Sequence, residues 1–107
     1  MTSLIDCATE LRADATRHLT ALAGNASMCA IGRSGRSFPA AKFHEGRQAA
    51  AGEVRRALRR DPDADSETLQ VITAEWDRAL RDAEAKGPDW VAYASGGLDA
   101  LAELAGS

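Results

Sequence analysis

Apolar side chains recur at intervals of three and four residues along most of the chain, a spacing that places them on one face of an α-helix. Between residues 3 and 23 this apolar stripe comprises Leu4, Ala8, Leu11, Ala15, Leu19 and Leu22. Charged residues such as Asp6, Glu10 and Arg17 fall on the opposite face. The pattern therefore predicts an amphipathic helix over residues 3–23.

Three further helices are predicted from the same spacing, over residues 38–60, 66–86 and 89–105. Ser37 is the expected cap of the first of these, with Pro39 in its first turn. Its stripe comprises Phe43, Gly46, Ala50, Val54, Ala57 and Leu58. The stripe of the next helix comprises Leu69, Ile72, Trp76, Leu80 and Ala83, and that of the fourth comprises Trp90, Ala94, Leu98, Leu101 and Leu104.

Glycines inside two of these helices suggest local departures from a regular bundle. A glycine costs a helix interior about 1 kcal/mol relative to alanine, so the fourth helix is predicted to be shorter than the others or broken at Gly96-Gly97. Gly46 and Ala50 leave space on the second helix. Our hypothesis is that an indole ring lies over Gly46.

The segment 26–37 is longer than the usual connection of about 2–8 residues between helices of a bundle. It ends in the sequence Gly-Arg-Ser-Gly-Arg-Ser, just before a predicted helix N-terminus. Glycine amides, arginine side chains and a helix dipole together favour an anion. The candidate anion-binding residues are Arg33, Ser34, Arg36 and Ser37. The alternative is a solvated loop without a ligand.

Composition strengthens the prediction of an all-α fold. The chain of 107 residues contains 23 alanines but only six valines and isoleucines, and β-branched residues are the ones that strands favour. This length is sufficient for one domain. We predict a single domain over residues 1–107, an antiparallel bundle of three long helices plus a shorter or broken fourth. Alanine-rich helices bury little apolar area, which favours self-association.

Charge is divided unequally along the chain. Residues 33–60 carry a net charge of +6, and residues 61–107 carry −8. Two interpretations remain open: the two segments neutralise each other within the fold, or the basic segment attracts an anionic partner. The arginines that would form the basic surface are Arg55, Arg56, Arg59 and Arg60.

Three more residues are candidates for binding a partner. Arg47 projects toward the apolar side of its helix, so it either extends to the edge, pairs with a carboxylate of another helix, or awaits a ligand. Trp90 and Tyr93 are aromatic residues of the kind that either anchor interfaces or seal the end of a bundle.

No arrangement of residues typical of catalysis or metal binding emerges from the sequence. Glu10, Asp14 and His18 share one side of a helix, but the partner ligands of a di-metal bundle site are missing, and a solvated face with an Asp14–His18 contact is expected. We therefore predict no catalytic residues, no metal and no cofactor.

These observations predict a non-catalytic helical module that binds another protein and forms a homo-oligomer. The alternative is an anion-binding or nucleic-acid-binding protein that uses the basic segment 33–60. No apolar run approaches the ~18–20 residues needed to span a bilayer, and the first residues do not resemble a secretory signal. A cytoplasmic location without membrane contact is expected.

Overall fold

The computed structural model describes residues 3–23, 38–63 and 65–106, in which all regular secondary structure is helical. The four helices in these ranges are α1 (Leu4–Ala23), α2 (Pro39–Arg60), α3 (Asp65–Ala83) and α4 (Pro88–Ala105). The helices pack against one another, so the predicted all-α helical bundle is confirmed. The predicted loop 26–37 lies outside the described residues.

Helix α1 lies antiparallel to α2. Gln48 of α2 donates a hydrogen bond of 2.8 Å to the Thr16 hydroxyl of α1. One turn earlier in α2, the ring of His44 stacks on His18, which comes later in α1. Rising residue numbers in one helix therefore meet falling numbers in the other, as the antiparallel arrangement requires.

Helices α2 and α4 run parallel and form the most extensive contact between helices. Near their first turns the backbone N–H of Phe38 donates to the Asp89 carboxylate at 3.1 Å. Further along, Arg47 contacts Glu103. Short turns on either side of α3 reverse the chain twice, which returns α4 to the direction of α2.

Two glycines allow α2 and α4 to touch through their backbones. A Cβ atom added to Gly46 would overlap the carbonyl oxygen of Tyr93, and one added to Gly96 would overlap the carbonyl oxygen of Phe43. Each glycine therefore admits the main chain of the other helix. The hypothesis that an indole lies over Gly46 is wrong, because the backbone of Tyr93 fills that space.

Helix α4 continues through Gly96-Gly97 without a break, and with 18 residues it is the shortest of the four described helices. The two glycines receive different neighbours. Gly96 contacts the α2 backbone, while the indole of Trp76 from α3 lies against Gly97, where a Cβ atom would overlap the ring. This packing offsets the low helix propensity of glycine.

The hydrophobic core is centred on Val54 and Leu101, the largest fully buried side chains in the described residues. The rest of the buried cluster comprises Ala8, Leu11, Ala50, Ala51, Leu58, Ile72, Trp76, Ala100 and Leu104. Each predicted stripe contributes to this cluster. The stripe predicted for the fourth helix is wrong at its first residue, because Trp90 is 55% exposed. None of the helices described here has the length and apolar character required to cross a membrane.

The ends of two helices differ from the sequence prediction. Helix α3 ends at Ala83, three residues earlier than predicted, and the Lys86 and Gly87 amides both donate to the Ala83 carbonyl. Gly87 has a φ of 123°, a left-handed conformation that suits glycine, and Pro88 then begins α4. The N-cap of α2 is Phe38 rather than the predicted Ser37.

Candidate functional site

An open groove of about 540 Å³ runs between the C-terminal half of α2 and the N-terminal half of α3. We call it the α2–α3 groove. It is lined by Glu53, Arg56, Ala57 and Arg60 of α2 and by Glu67, Thr68, Val71, Ile72 and Glu75 of α3. The residue spacing shows that one face of each helix forms the groove.

The two rims of the α2–α3 groove carry opposite charge. Arg56 and Arg60 are exposed on the α2 rim, and Glu67 and Glu75 are exposed on the α3 rim. Within the described part of the chain, none of these four forms an ion pair at 4.0 Å or less. The charges thus line the groove without neutralising one another by direct contact.

Apolar side chains also line the groove, with Ala57 and Ile72 in its floor and Val71 on the α3 rim. Ala57 is partly buried and Ile72 is buried, whereas Val71 is 59% exposed. Val71 and Trp90 are the large hydrophobic side chains that stay exposed among the described residues. Sequence reasoning missed Val71, although a large apolar residue directly before Ile72 and outside the α3 stripe was a detectable signal.

Glu53 lies within the groove at the junction of α2 and α3. Burial raises the pKa of this carboxyl above its ordinary value, while the nearby indole N–H of Trp76 acts in the opposite direction. The Glu75 carboxylate raises the pKa further, and the Arg56 guanidinium lowers it. A ligand that covers the groove would desolvate Glu53 further and strengthen its preference for the neutral form.

Arg47 contacts two carboxylates of α4. Its guanidinium donates to Asp99 and, at 2.7 Å, to Glu103. The Arg47 side chain is only 11% exposed, whereas both carboxylates are more than half exposed. Of the three alternatives drawn from the sequence, the structure shows the pairing with carboxylates of another helix. Asp99 and Glu103 could not be assigned from sequence, because the register of α2 on α4 was unknown.

The remaining α2 arginines are distributed around the end of the helix. Arg55 is partly buried, and its Nε atom has no hydrogen-bond partner among the described residues. Arg59 is exposed in the last turn, where a cation complements the negative end of the helix dipole. Arg56 and Arg60 are therefore the two predicted partner-binding arginines that the structure brings to the groove.

Of the two aromatic candidates, Trp90 lies far from the arginine rim of the groove, and Tyr93 lies in the packing between helices. Trp90 is 55% exposed with the Lys86 ammonium 5.3 Å from its ring centroid. It adjoins Asp89, which contacts the N-terminus of α2, whereas Arg60 lies 22 residues or about 33 Å along that helix. The predicted partner-binding residues therefore do not form one surface.

Tyr93 belongs mainly to the packing between helices. Its ring is partly buried and lies 5.3 Å from the ring of Trp76, measured between centroids. Burial raises the pKa of the Tyr93 hydroxyl, and the Glu45 and Glu53 carboxylates raise it further. Tyr93 is therefore neutral near pH 7, where its hydroxyl can donate a hydrogen bond.

A histidine pair marks the contact between α1 and α2. The rings of His18 and His44 stack with centroids 4.7 Å apart and an interplanar angle of 9°. The predicted Asp14–His18 contact is present at 3.5 Å. Burial lowers the pKa of His44, His18 and Arg47 lower it further, and Asp14 opposes them.

The sequence predicts an anion site but no metal site. No cluster of three or more potential metal-ligating residues occurs in residues 3–23, 38–63 and 65–106. The candidate anion-binding residues Arg33, Ser34, Arg36 and Ser37 lie outside the described residues. The α2–α3 groove is therefore the site on which the functional interpretation is built.

Comparison of this chain with protein families, with curated proteins and with solved structures finds no match. The function is consequently inferred from the chemistry of the α2–α3 groove.

Proposed function

We propose that this chain is a non-catalytic interaction module that binds a protein partner through the α2–α3 groove. The observation that carries the proposal is the exposed Val71 side chain, which lies between Glu67 and Glu75 on the α3 rim and faces an arginine rim on α2. Burial of the apolar floor would supply affinity, while the rims would set the orientation of the partner. The predicted homo-oligomer and the cytoplasmic location belong to this proposal.

The main alternative is binding of nucleic acid or another anion by the arginines of α2. It is supported by the absence of ion pairs to Arg55, Arg56, Arg59 and Arg60 within the described residues. The glutamates on the opposite rim argue against it, because they would repel a phosphate backbone that lay in the groove. A protein partner therefore fits the groove better.

The test is capture of partners by the tagged protein from a lysate of its source, with and without nuclease. The variant Val71→Glu places a charge in the groove at a position that is 59% exposed, and circular dichroism checks that it is folded. Ala74→Glu is the matched control, because Ala74 is also exposed on α3 but does not line the groove.

We expect a stoichiometric protein that survives nuclease, is lost with Val71→Glu and is retained with Ala74→Glu. Material that nuclease removes would support the nucleic-acid alternative instead. Capture that is indifferent to Val71→Glu would show that the groove is not the binding surface.

A further inference from the structure

We infer that the occupant of the α2–α3 groove is a second copy of this chain, docked across a two-fold axis that runs along the groove. The inference rests on the proposed function, because it names the partner of the same surface. Its evidence is the pattern of charge around the groove.

A surface that pairs with its own copy must be complementary to itself. The exposed charges of the α2–α3 groove meet this condition, because Arg56 and Arg60 on one rim are matched in number by Glu67 and Glu75 on the other. Glu53, the remaining charged residue of the groove, is partly buried, and burial raises its pKa toward the neutral form. A groove with two basic rims or two acidic rims would repel its own copy. All four side chains are exposed and without ion pairs among the described residues, so they remain available to a second chain.

The direction of the symmetry axis follows from these charges. Rotation about an axis along the groove exchanges the two rims and leaves positions along the groove unchanged. The α2 rim of one copy then lies over the α3 rim of the other, with Arg60 near Glu67 at the end next to the turn and Arg56 within about one helical turn of Glu75. Rotation about an axis across the groove would instead place arginine over arginine, which is unfavourable.

The apolar centre of the groove fits the same arrangement. Val71 and Ala57 line opposite sides of the groove. The rotation that exchanges the rims therefore brings Val71 of each copy over Ala57 of the other. The exposed Val71 side chain of each copy is thereby covered by the other copy.

The size of the surface sets the expected affinity. Helix α3 has 19 residues and is about 28 Å long, and two adjacent helices are about 20 Å wide. The groove occupies about half of this length, so the area buried per copy is on the order of 270–550 Å², compared with about 800 Å² per partner in a typical stable complex. We expect a reversible dimer that dissociates on dilution through the micromolar range.

The test uses analytical ultracentrifugation of the full chain across a concentration series, with two rim-reversal variants. The first combines Arg56→Glu and Arg60→Glu, and the second combines Glu67→Arg and Glu75→Arg. Arg59→Glu is the control, since Arg59 is exposed in the same last turn of α2 but does not line the groove. Circular dichroism establishes that each variant is folded.

We expect the wild type and Arg59→Glu to dimerise with the same dissociation constant. Each rim-reversal variant alone should weaken dimerisation at least tenfold, because like charges then face each other. An equimolar mixture of the two variants should form a heterodimer, since every arginine of one variant then faces a glutamate of the other.

A wild type that stays monomeric at every concentration, or a dimer that both rim reversals leave intact, would overturn the inference. The proposed function has its own separate readout. If the wild type is monomeric while Val71→Glu removes a captured protein, the groove binds a different partner and only the second-copy inference fails. If Val71→Glu affects neither capture nor dimerisation, the proposed function fails as well.

Discussion

At Gly46 a hydrogen atom in place of a side chain lets two helices meet through their main chains. The neighbouring atom is a backbone carbonyl oxygen of Tyr93, which belongs to a helix and cannot turn away as a side chain would. A larger residue at Gly46 must therefore displace the whole of α4 relative to α2. The core on both sides of the contact would then lose part of its packing.

Gly46→Ala is therefore expected to lower the free energy of unfolding by about 3 kcal/mol, with a fall in melting temperature of roughly 12–20 °C. Gly52→Ala is the matched control on the same helix. Its added Cβ atom would meet the flexible side chains of Arg56 at 3.4 Å and of Arg12 at 3.8 Å, so the gain in helix propensity should leave stability unchanged or raise it by about 0.5–1 kcal/mol.

Thermal and urea unfolding followed by circular dichroism would measure both changes. Equal changes in the free energy of unfolding for the two substitutions would contradict the backbone contact at Gly46. The change would then depend only on placing a larger residue in α2 and not on the neighbouring helix.

The inward direction of Gly46 and Arg47 was predictable from sequence, but their neighbours were not. Helical periodicity gives the side of the helix on which a residue lies. It does not give the distance between two helices or their register. The distance between α2 and α4 and their register depend here on a backbone contact. The sequence therefore left the pairing of Arg47 with Asp99 and Glu103 as one alternative among three.

At the scale of whole helices, the contact between α1 and α2 contains the histidine stack. Burial and the charges of His18 and Arg47 lower the pKa of His44 below its ordinary value of 6.5, whereas Asp14 partly opposes this change. The folded protein therefore binds a proton at His44 less readily than the unfolded chain does. Acid should consequently weaken the contact between α1 and α2.

The sign of this dependence follows from linkage. Well above pH 6.5, as at pH 8.0, His44 is neutral in both states and contributes no pH dependence. As the pH falls through 6.5, the unfolded chain takes up the proton first, so the free energy of unfolding should decrease. His44→Gln should remove this part of the acid sensitivity, because glutamine does not titrate.

Urea unfolding of the wild type and His44→Gln at pH 8.0, 6.5 and 5.5 would measure this difference. Comparison of the two proteins cancels groups such as Glu53, whose raised pKa gives the opposite slope. Parallel curves for the two proteins would contradict the assignment of the acid sensitivity to His44.

Helix existence and inward faces were predictable because each rests on residues close in sequence. Helix ends were less so: Glu84, Ala85 and Lys86 are good helix formers, yet α3 ends before them because Gly87 adopts a positive φ and Pro88 begins the next helix. The α2–α3 groove was not predictable, since it depends on how far apart two neighbouring helices lie.

For the whole molecule, the division of charge along the sequence becomes a division between adjacent helices. The basic end of α2 and the acidic α3 are neighbours, yet their groove-lining charges form no direct ion pairs among the described residues. The sequence predicted the two charged segments. The sequence could not show that an apolar groove floor lies between the arginines of α2 and the glutamates of α3.

If two copies share the groove, the dimer should also be visible in the unfolding equilibrium. The melting temperature should rise with protein concentration, because a partner that binds only the folded state stabilises it by mass action. Val71→Glu should abolish this dependence, while Ala74→Glu should retain it. Differential scanning calorimetry over a hundredfold range of concentration would measure the change, and a constant melting temperature for the wild type would contradict it.

The parallel contact between α2 and α4 has a consequence for the order in which the protein is made. The main-chain amide of Phe38 and the backbone around Gly46 find their neighbours about fifty residues further along the chain. On the ribosome, α1, α2 and α3 are therefore synthesised before the helix that completes their core exists. The glycine face of α2 stays uncovered until α4 emerges, so completion of the core depends on the synthesis of α4 rather than on formation of the first helices.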